Sequence, residues 1–267
     1  MKQLAHLSLC ELSSCLQEAE YSHLMALMGC SGAERISIGS SFCELQLLAI
    51  GPEELSFLRQ LAQRDGTRFS LTIPAPRQGL LQAVQDKTAE ILAALPTCDE
   101  LVINDAFLLD RMLAQRPVPR IVSGRLLCAY EHDPRMDNAQ ERHRELLRVA
   151  RDLLAQGVDA VEADALEPWL AAEEPLLTQG KLRCHFPAVM LSSTRHCQYA
   201  VTSDGCRELL KACAGCRRQC QHVWTAYRGR LLKFGRGIYT LLTPDAPPVP
   251  ARGMIYSPML EYRELHT

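Results

Sequence analysis

Short apolar runs suited to buried strands alternate, along most of this chain, with longer stretches of helical spacing, and this alternation limits the folds open to it. Residues 35–39 and 68–73 read as strands, the second closed by Pro74. Residues 52–63 read as a helix with Pro52 in its first turn. Over 80–95, Leu81, Val84, Ala89, Ile91 and Leu95 recur at helical spacing. Residues 100–104 and 120–123 are short β runs flanking a helix over 106–115, and the helix over 138–156 is closed by Gly157 before a strand at 159–162.

Repeated β–α alternation with short connections requires parallel strands covered by helices, in an α/β barrel or a doubly wound sheet. The expectation is an α/β, (β/α) barrel-like domain, complete or incomplete, over residues 34–243. An N-terminal segment, 1–33, precedes it, and a Pro-rich tether and tail, 244–267, follow. Gly229 and the Gly235, Arg236, Gly237 run mark residues 228–243 as a terminal β-hairpin, and 257–265 reads as a helical tail. A barrel gathers functional groups at the carboxyl ends of its strands. Asn104 and Asp105, Gly124 and Arg125, and Glu162 fall at such positions, which makes Asp105, Arg125 and Glu162 the catalytic candidates. The plainer alternative for each is a helix cap or a surface charge.

The 267 residues are 47% hydrophobic, enough for a substantial core. The longest apolar runs fall far short of the roughly 20 residues that cross a bilayer, and residues 1–18 do not read as a secretory signal. The expectation is a cytoplasmic protein without a membrane span. Twelve cysteines in such a chain point to free thiols or a metal site rather than disulfides. Six of them, Cys184, Cys197, Cys206, Cys213, Cys216 and Cys220, crowd into residues 184–220, where an even spread would place about two.

Cys216 and Cys220 are four apart, so on a helix both sulfurs share one face and reach one metal centre. Cys197 lies nineteen positions upstream, an easy span for a third ligand. A four-cysteine iron–sulfur site needs one more, with Cys43 as a remote candidate and Cys206 or Cys213 as near ones. Zinc is the rival metal, and a buried packing stripe of small thiols is the alternative to any metal. Charge is segregated in the same region. Residues 181–236 hold eleven Lys and Arg against only Asp204 and Glu208, although the whole chain carries −2. Such an excess suits an anionic partner: nucleic acid, phosphate or a negatively charged cluster.

The order of β–α units, Asn104 and Asp105, the Gly124 to Leu127 segment, the Ser193-Thr194-Arg195-His196-Cys197 run and the Cys216, Cys220 pair together resemble the peptidase U-32 (collagenase-like) family. The likeness is greatest to its short iron–sulfur members, which act in oxygen-independent ubiquinone hydroxylation; other members serve in RNA hydroxylation. It spans about residues 34–240. In the short members a cysteine soon after the first strand completes the ligand set, and the segment ending Gly39-Ser40-Ser41-Phe42-Cys43 matches it. The resemblance thus implies a 4Fe-4S cluster on Cys43, Cys197, Cys216 and Cys220, with Arg195 beside the cluster, and a homologous partner chain in a heterodimer, or RNA, as partner. Two departures stand out. The gap from Cys197 to Cys216 is longer than the family pattern and contains Cys206 and Cys213. No serine, histidine and acid set at protease spacing accompanies the family name.

Overall fold

The computed structural model describes residues 2–14, 16–115, 119–132, 139–164, 174–193, 220, 224–226, 231–234, 237–241 and 253–265. Seven parallel strands come first: β1 (Lys2–Ser8), β2 (Cys30–Gly39), β3 (Arg68–Ile73), β4 (Cys98–Ile103), β5 (Arg120–Ser123), β6 (Ala160–Asp164) and β7 (Leu182–Phe186). The chain then leaves the ring for an antiparallel sheet of β8 (Ala188–Ser193), β9 (Trp224–Ala226), β10 (Leu231–Phe234) and β11 (Gly237–Leu241), ordered β8-β11-β10-β9. It returns as β12 (Met254–Tyr256), which pairs in parallel with both β7 and β1 and closes an eight-stranded barrel.

Helices α1 (Glu18–Leu27), α2 (Glu44–Leu48), α3 (Pro52–Asp65), α4 (Leu81–Ala94), α5 (Ala106–Gln115), α6 (Ala139–Ala155), α7 (Pro175–Thr178) and α8 (Met259–Leu265) alternate with the strands. The boundaries of α3 follow from its own residues. Pro52 occupies the first turn and the Glu54 carboxylate accepts from the Gly51 amide at 3.0 Å. Gly66, in the left-handed region at φ 67°, ends the helix, and Leu55, Phe57, Leu58 and Leu61 form its buried face. Among the described residues no helix is long and apolar enough to cross a membrane.

The ring is complete, and closure rules out a doubly wound sheet. It also crosses the boundaries at 34 and 243, because its first strand lies in 1–33 and its last in 244–267. The terminal hairpin strands are present as β10 and β11, paired antiparallel from Leu231 with Thr240 to Phe234 with Gly237. The tail forms α8, whose Met259 and Tyr262 are buried in the main core. The Pro-rich stretch 244–250 and most of the cysteine-rich segment lie outside the described residues.

Two layers of different chemistry line the strands. Ile36, Ile38, Phe69, Leu71, Ile73, Leu101, Ile103 and Val161 belong to the apolar core shared with the helices. Alternation turns the intervening residues toward the barrel axis. Of these, only Val102, Val122 and Ala160 form an apolar cluster, a small one separate from the main core. Apart from Ile255 on β12, most of the rest of the described interior is polar. Arg183 on β7 donates from both terminal nitrogens to Glu100 on β4, at 2.6 and 3.0 Å, although β4 and β7 are not neighbours in the ring. That contact runs through the barrel interior. Glu100 also accepts from Ser70 at 2.7 Å and from Arg120 at 2.8 Å. Burial alone would raise the Glu100 pKa, but the hydrogen bonds and charge of Arg183 outweigh it and hold the carboxyl well below the usual range.

Glu100→Gln would leave Arg183 buried without its anion, and a loss of about 3–5 kcal/mol is expected, seen as a lower urea midpoint at unchanged slope. The sign with pH follows from the depressed carboxyl. Glu100 stabilises fully above its unfolded pKa of about 4.3 and progressively less as pH falls below it. Acid titration of the Glu100→Gln protein should therefore lack that part of the wild-type loss.

Candidate functional site

The loops after β1 and β2 meet at the carboxyl mouth of the barrel. Gly39 closes β2 at φ 99°, where an added Cβ would stand 2.3 Å from the Thr72 carbonyl oxygen, so glycine is required. Beyond β1, the Glu11 amide donates to the Gly39 carbonyl at 3.0 Å, and the Ser13 hydroxyl accepts from the Gly39 amide at 3.0 Å. Glu11 itself has φ 73°, an unfavourable backbone for this residue. Its buried carboxylate accepts from the Ser40 hydroxyl at 2.7 Å and the Ser41 amide at 2.6 Å. The Ser40 hydroxyl in turn accepts from the Cys43 amide at 2.7 Å. This chain of contacts seats the buried Cys43 at the start of α2, and the Glu44 to Arg77 ion pair ties that helix to the loop after β3.

Cys220 reaches the same helix. The Gln46 side-chain amide, three residues past Cys43, donates toward the Cys220 sulfur at 3.8 Å. Cys220, from the far part of the chain, thereby lies against the helix that Cys43 precedes. Cys197, Cys216 and Arg195, with Cys206 and Cys213, lie outside the described residues. Among the described residues no three His, Cys, Asp or Glu side chains gather as a metal site.

The three catalytic candidates occupy distinct settings. Asp105 accepts from the Leu108 amide at 2.9 Å and caps α5. Asn104 before it is buried. Its side-chain oxygen accepts from the Leu126 amide at 3.1 Å, and a Cβ on Gly124 would strike that oxygen at 2.3 Å. Arg125 is buried in an ion pair with Asp164 and donates to the Ala188 carbonyl at 3.4 Å. Asp164 also accepts from the Met190 amide at 3.1 Å. The Arg125 guanidinium stacks 5.6 Å from the centre of the Tyr239 ring, which meets Phe42 edge-on at 6.2 Å. Arg125 and Asp164 therefore fasten the antiparallel sheet onto the barrel. Glu162 lies deeper, inside the barrel, 3.1 Å from His185 Nε2.

A cleft of about 400 Å³ opens beside these groups, lined in part by Ser41, Phe42, Asn104, Asp105, Phe107 and Ser193. Phe42 directly precedes Cys43, and Ser193 stands four positions before Cys197 in the chain. Sequence reasoning singled out neither Glu11, Asp164 nor His185. For Asp164 a signal existed, since the strand read as ending at Glu162 runs two residues further. Glu11 fell in a segment that held no barrel strand in the sequence reading.

Arg125→Ala should cost about 3–5 kcal/mol, because it leaves the Asp164 charge buried. Asp105→Ala should cost about 1 kcal/mol through the lost cap. Denaturant unfolding of the two variants checks this ranking, and equal losses would contradict it. No protein-family model and no curated protein matches this chain, so the functional reading rests on its own residues and their placement.

Proposed function

We propose that this chain is an iron–sulfur protein of the peptidase U-32 type, with a 4Fe-4S cluster on Cys43, Cys197, Cys216 and Cys220 beside the cleft at the barrel mouth. The observation that carries the reading is the meeting of Cys220 with Gln46, one helical turn beyond Cys43. Both cysteines are buried, as suits thiolates shielded with a cluster. When bound, such a cluster supplies electron transfer or a Lewis-acidic iron. The chain's own part is to hold Cys43 through the Glu11 and Ser40 contacts and Cys220 against Gln46, and to offer an aromatic-edged cleft with Asn104, Asp105 and Ser41 at its polar side. Oxygen-independent hydroxylation of a small aromatic or RNA substrate, in the cytoplasm and with a homologous partner chain or RNA, is the activity this arrangement fits. Arg195 balances the charge of the cluster.

A protease reading has less behind it. His6 Nε2 lies 2.6 Å from the Ser37 hydroxyl, but both are buried inside the barrel. Burial, then Arg183, pushes the His6 pKa down to about 3, which makes the imidazole a poor base.

Anaerobically purified protein should be brown, with about four iron and four sulfide per chain. Cys43→Ala, Cys197→Ala, Cys216→Ala and Cys220→Ala should each lose most of that iron, whereas Cys10→Ala, Cys15→Ala and Cys98→Ala should keep it. Colourless protein loaded with zinc would overturn the cluster. Full iron in Cys43→Ala would move the fourth ligand to Cys206 or Cys213. RNA binding, measured by filter retention, should weaken as salt rises, since exposed charges are screened over about 10 Å at 0.1 M salt.

A further inference from the structure

Glu162 on β6 and His185 on β7 meet below the mouth, with Glu162 Oε2 3.1 Å from His185 Nε2 and both side chains almost wholly buried. Their outer atoms are unusual. Glu162 Oε1 and His185 Nδ1 are buried and make no hydrogen bond to any described residue. Buried polar atoms left this way are expensive, and a pair of them on joined side chains marks a place built for a small polar guest or for proton exchange. Neighbouring titratable and charged groups face the pair from several sides: His6 on β1, Cys10 after β1, Glu100 on β4, Arg125 after β5, itself paired with Asp164, and Arg183 on β7.

We propose that Glu162 and His185 form a proton relay inside the barrel, in which a proton taken up at His185 Nδ1 is delivered as a proton on Glu162 Oε2. The bonds balance. With Glu162 ionised, His185 Nε2–H donates to Glu162 Oε2 and Nδ1 is an acceptor. An incoming proton forms Nδ1–H, the Nε2–H bond breaks, and its proton passes along the existing hydrogen bond to make Oε2–H. The imidazole is neutral before and after and has only exchanged tautomers, so Nδ1 turns from acceptor to donor. Its guest is a water-sized molecule able to donate to Nδ1 in one state and accept from it in the other.

The surroundings favour this exchange over a charged histidine. Burial, then the Arg125 guanidinium, holds His185 well below its ordinary pKa, which keeps the imidazolium scarce. Burial pushes the Glu162 carboxyl up to about 7, against His6, Arg183 and Arg125, which lower it, and with Glu100, which adds to the rise. The relay does not rest on the iron–sulfur reading.

Infrared difference spectra of the full-length protein against pH, with nitrogen-15 resonances of its labelled histidines, test the relay. A protonated carboxyl band that disappears with a midpoint near 7 is expected. At the same midpoint His185 should invert its Nδ1 and Nε2 pattern while staying neutral. Glu162→Gln should abolish both changes. The wild-type series decides alone if that variant does not fold: no carboxyl titrating above about pH 6, or His185 becoming an imidazolium, overturns the proposal. Iron content is read separately, so loss of the cluster assignment would leave this result standing.

Discussion

The ion pair between Glu100 and Arg183 crosses the inside of the barrel, joining two strands that share no edge. Most barrels of this kind fill their axis with branched apolar side chains. Here the carboxylates of Glu100 and Glu162, the Arg183 guanidinium, two histidines and hydroxyls occupy much of that space, and most of their polar atoms find partners because an uncompensated polar group in such a place is costly. The requirement reaches most of the strands. A one-residue slip would turn a charged side chain into the helix layer and an isoleucine into the polar axis, so the interior network specifies register while the outer apolar layer supplies most of the stabilisation.

The same demand for partners organises the mouth. Glu11 accepts an unfavourable backbone in exchange for two short hydrogen bonds that set the loop ahead of Cys43. Arg125 and Asp164 neutralise one another and take up backbone groups of β8. Sequence position at the end of a strand drew attention to Arg125 and Asp105 as chemical groups; in the structure Arg125 also fastens two sheets and Asp105 also caps a helix.

Local rules made much of the fold legible. The span Ala106–Gln115 emerges from helical spacing, and Arg68–Ile73 from a β-rich run closed by Pro74. Strand β12 has three residues, too few to display any period, and β1 lies before the first recognised unit. Alternation in Phe69, Ser70, Leu71 and Thr72 resembles a strand with one wet face, but Ser70 and Thr72 are buried because the second face is the barrel interior. Of the candidate ligands, the pairing of Cys216 with Cys220 came from spacing, and the choice of Cys43 over Cys206 and Cys213 from resemblance.

What the sequence by itself determined is the succession of strands and helices between residues 35 and 162, the ends of α3, and the crowding of thiols and positive charge after residue 181. These depend on residues within a turn or two of one another, or on composition. Closure of the ring, the inward course of Glu100, Glu162, Arg183 and His185, and the approach of Cys220 to α2 were decided by the tertiary structure alone. Each joins groups from 20 to more than 170 positions apart. Whether a charge in a strand meets water or a buried partner is settled only when all eight strands have closed around it.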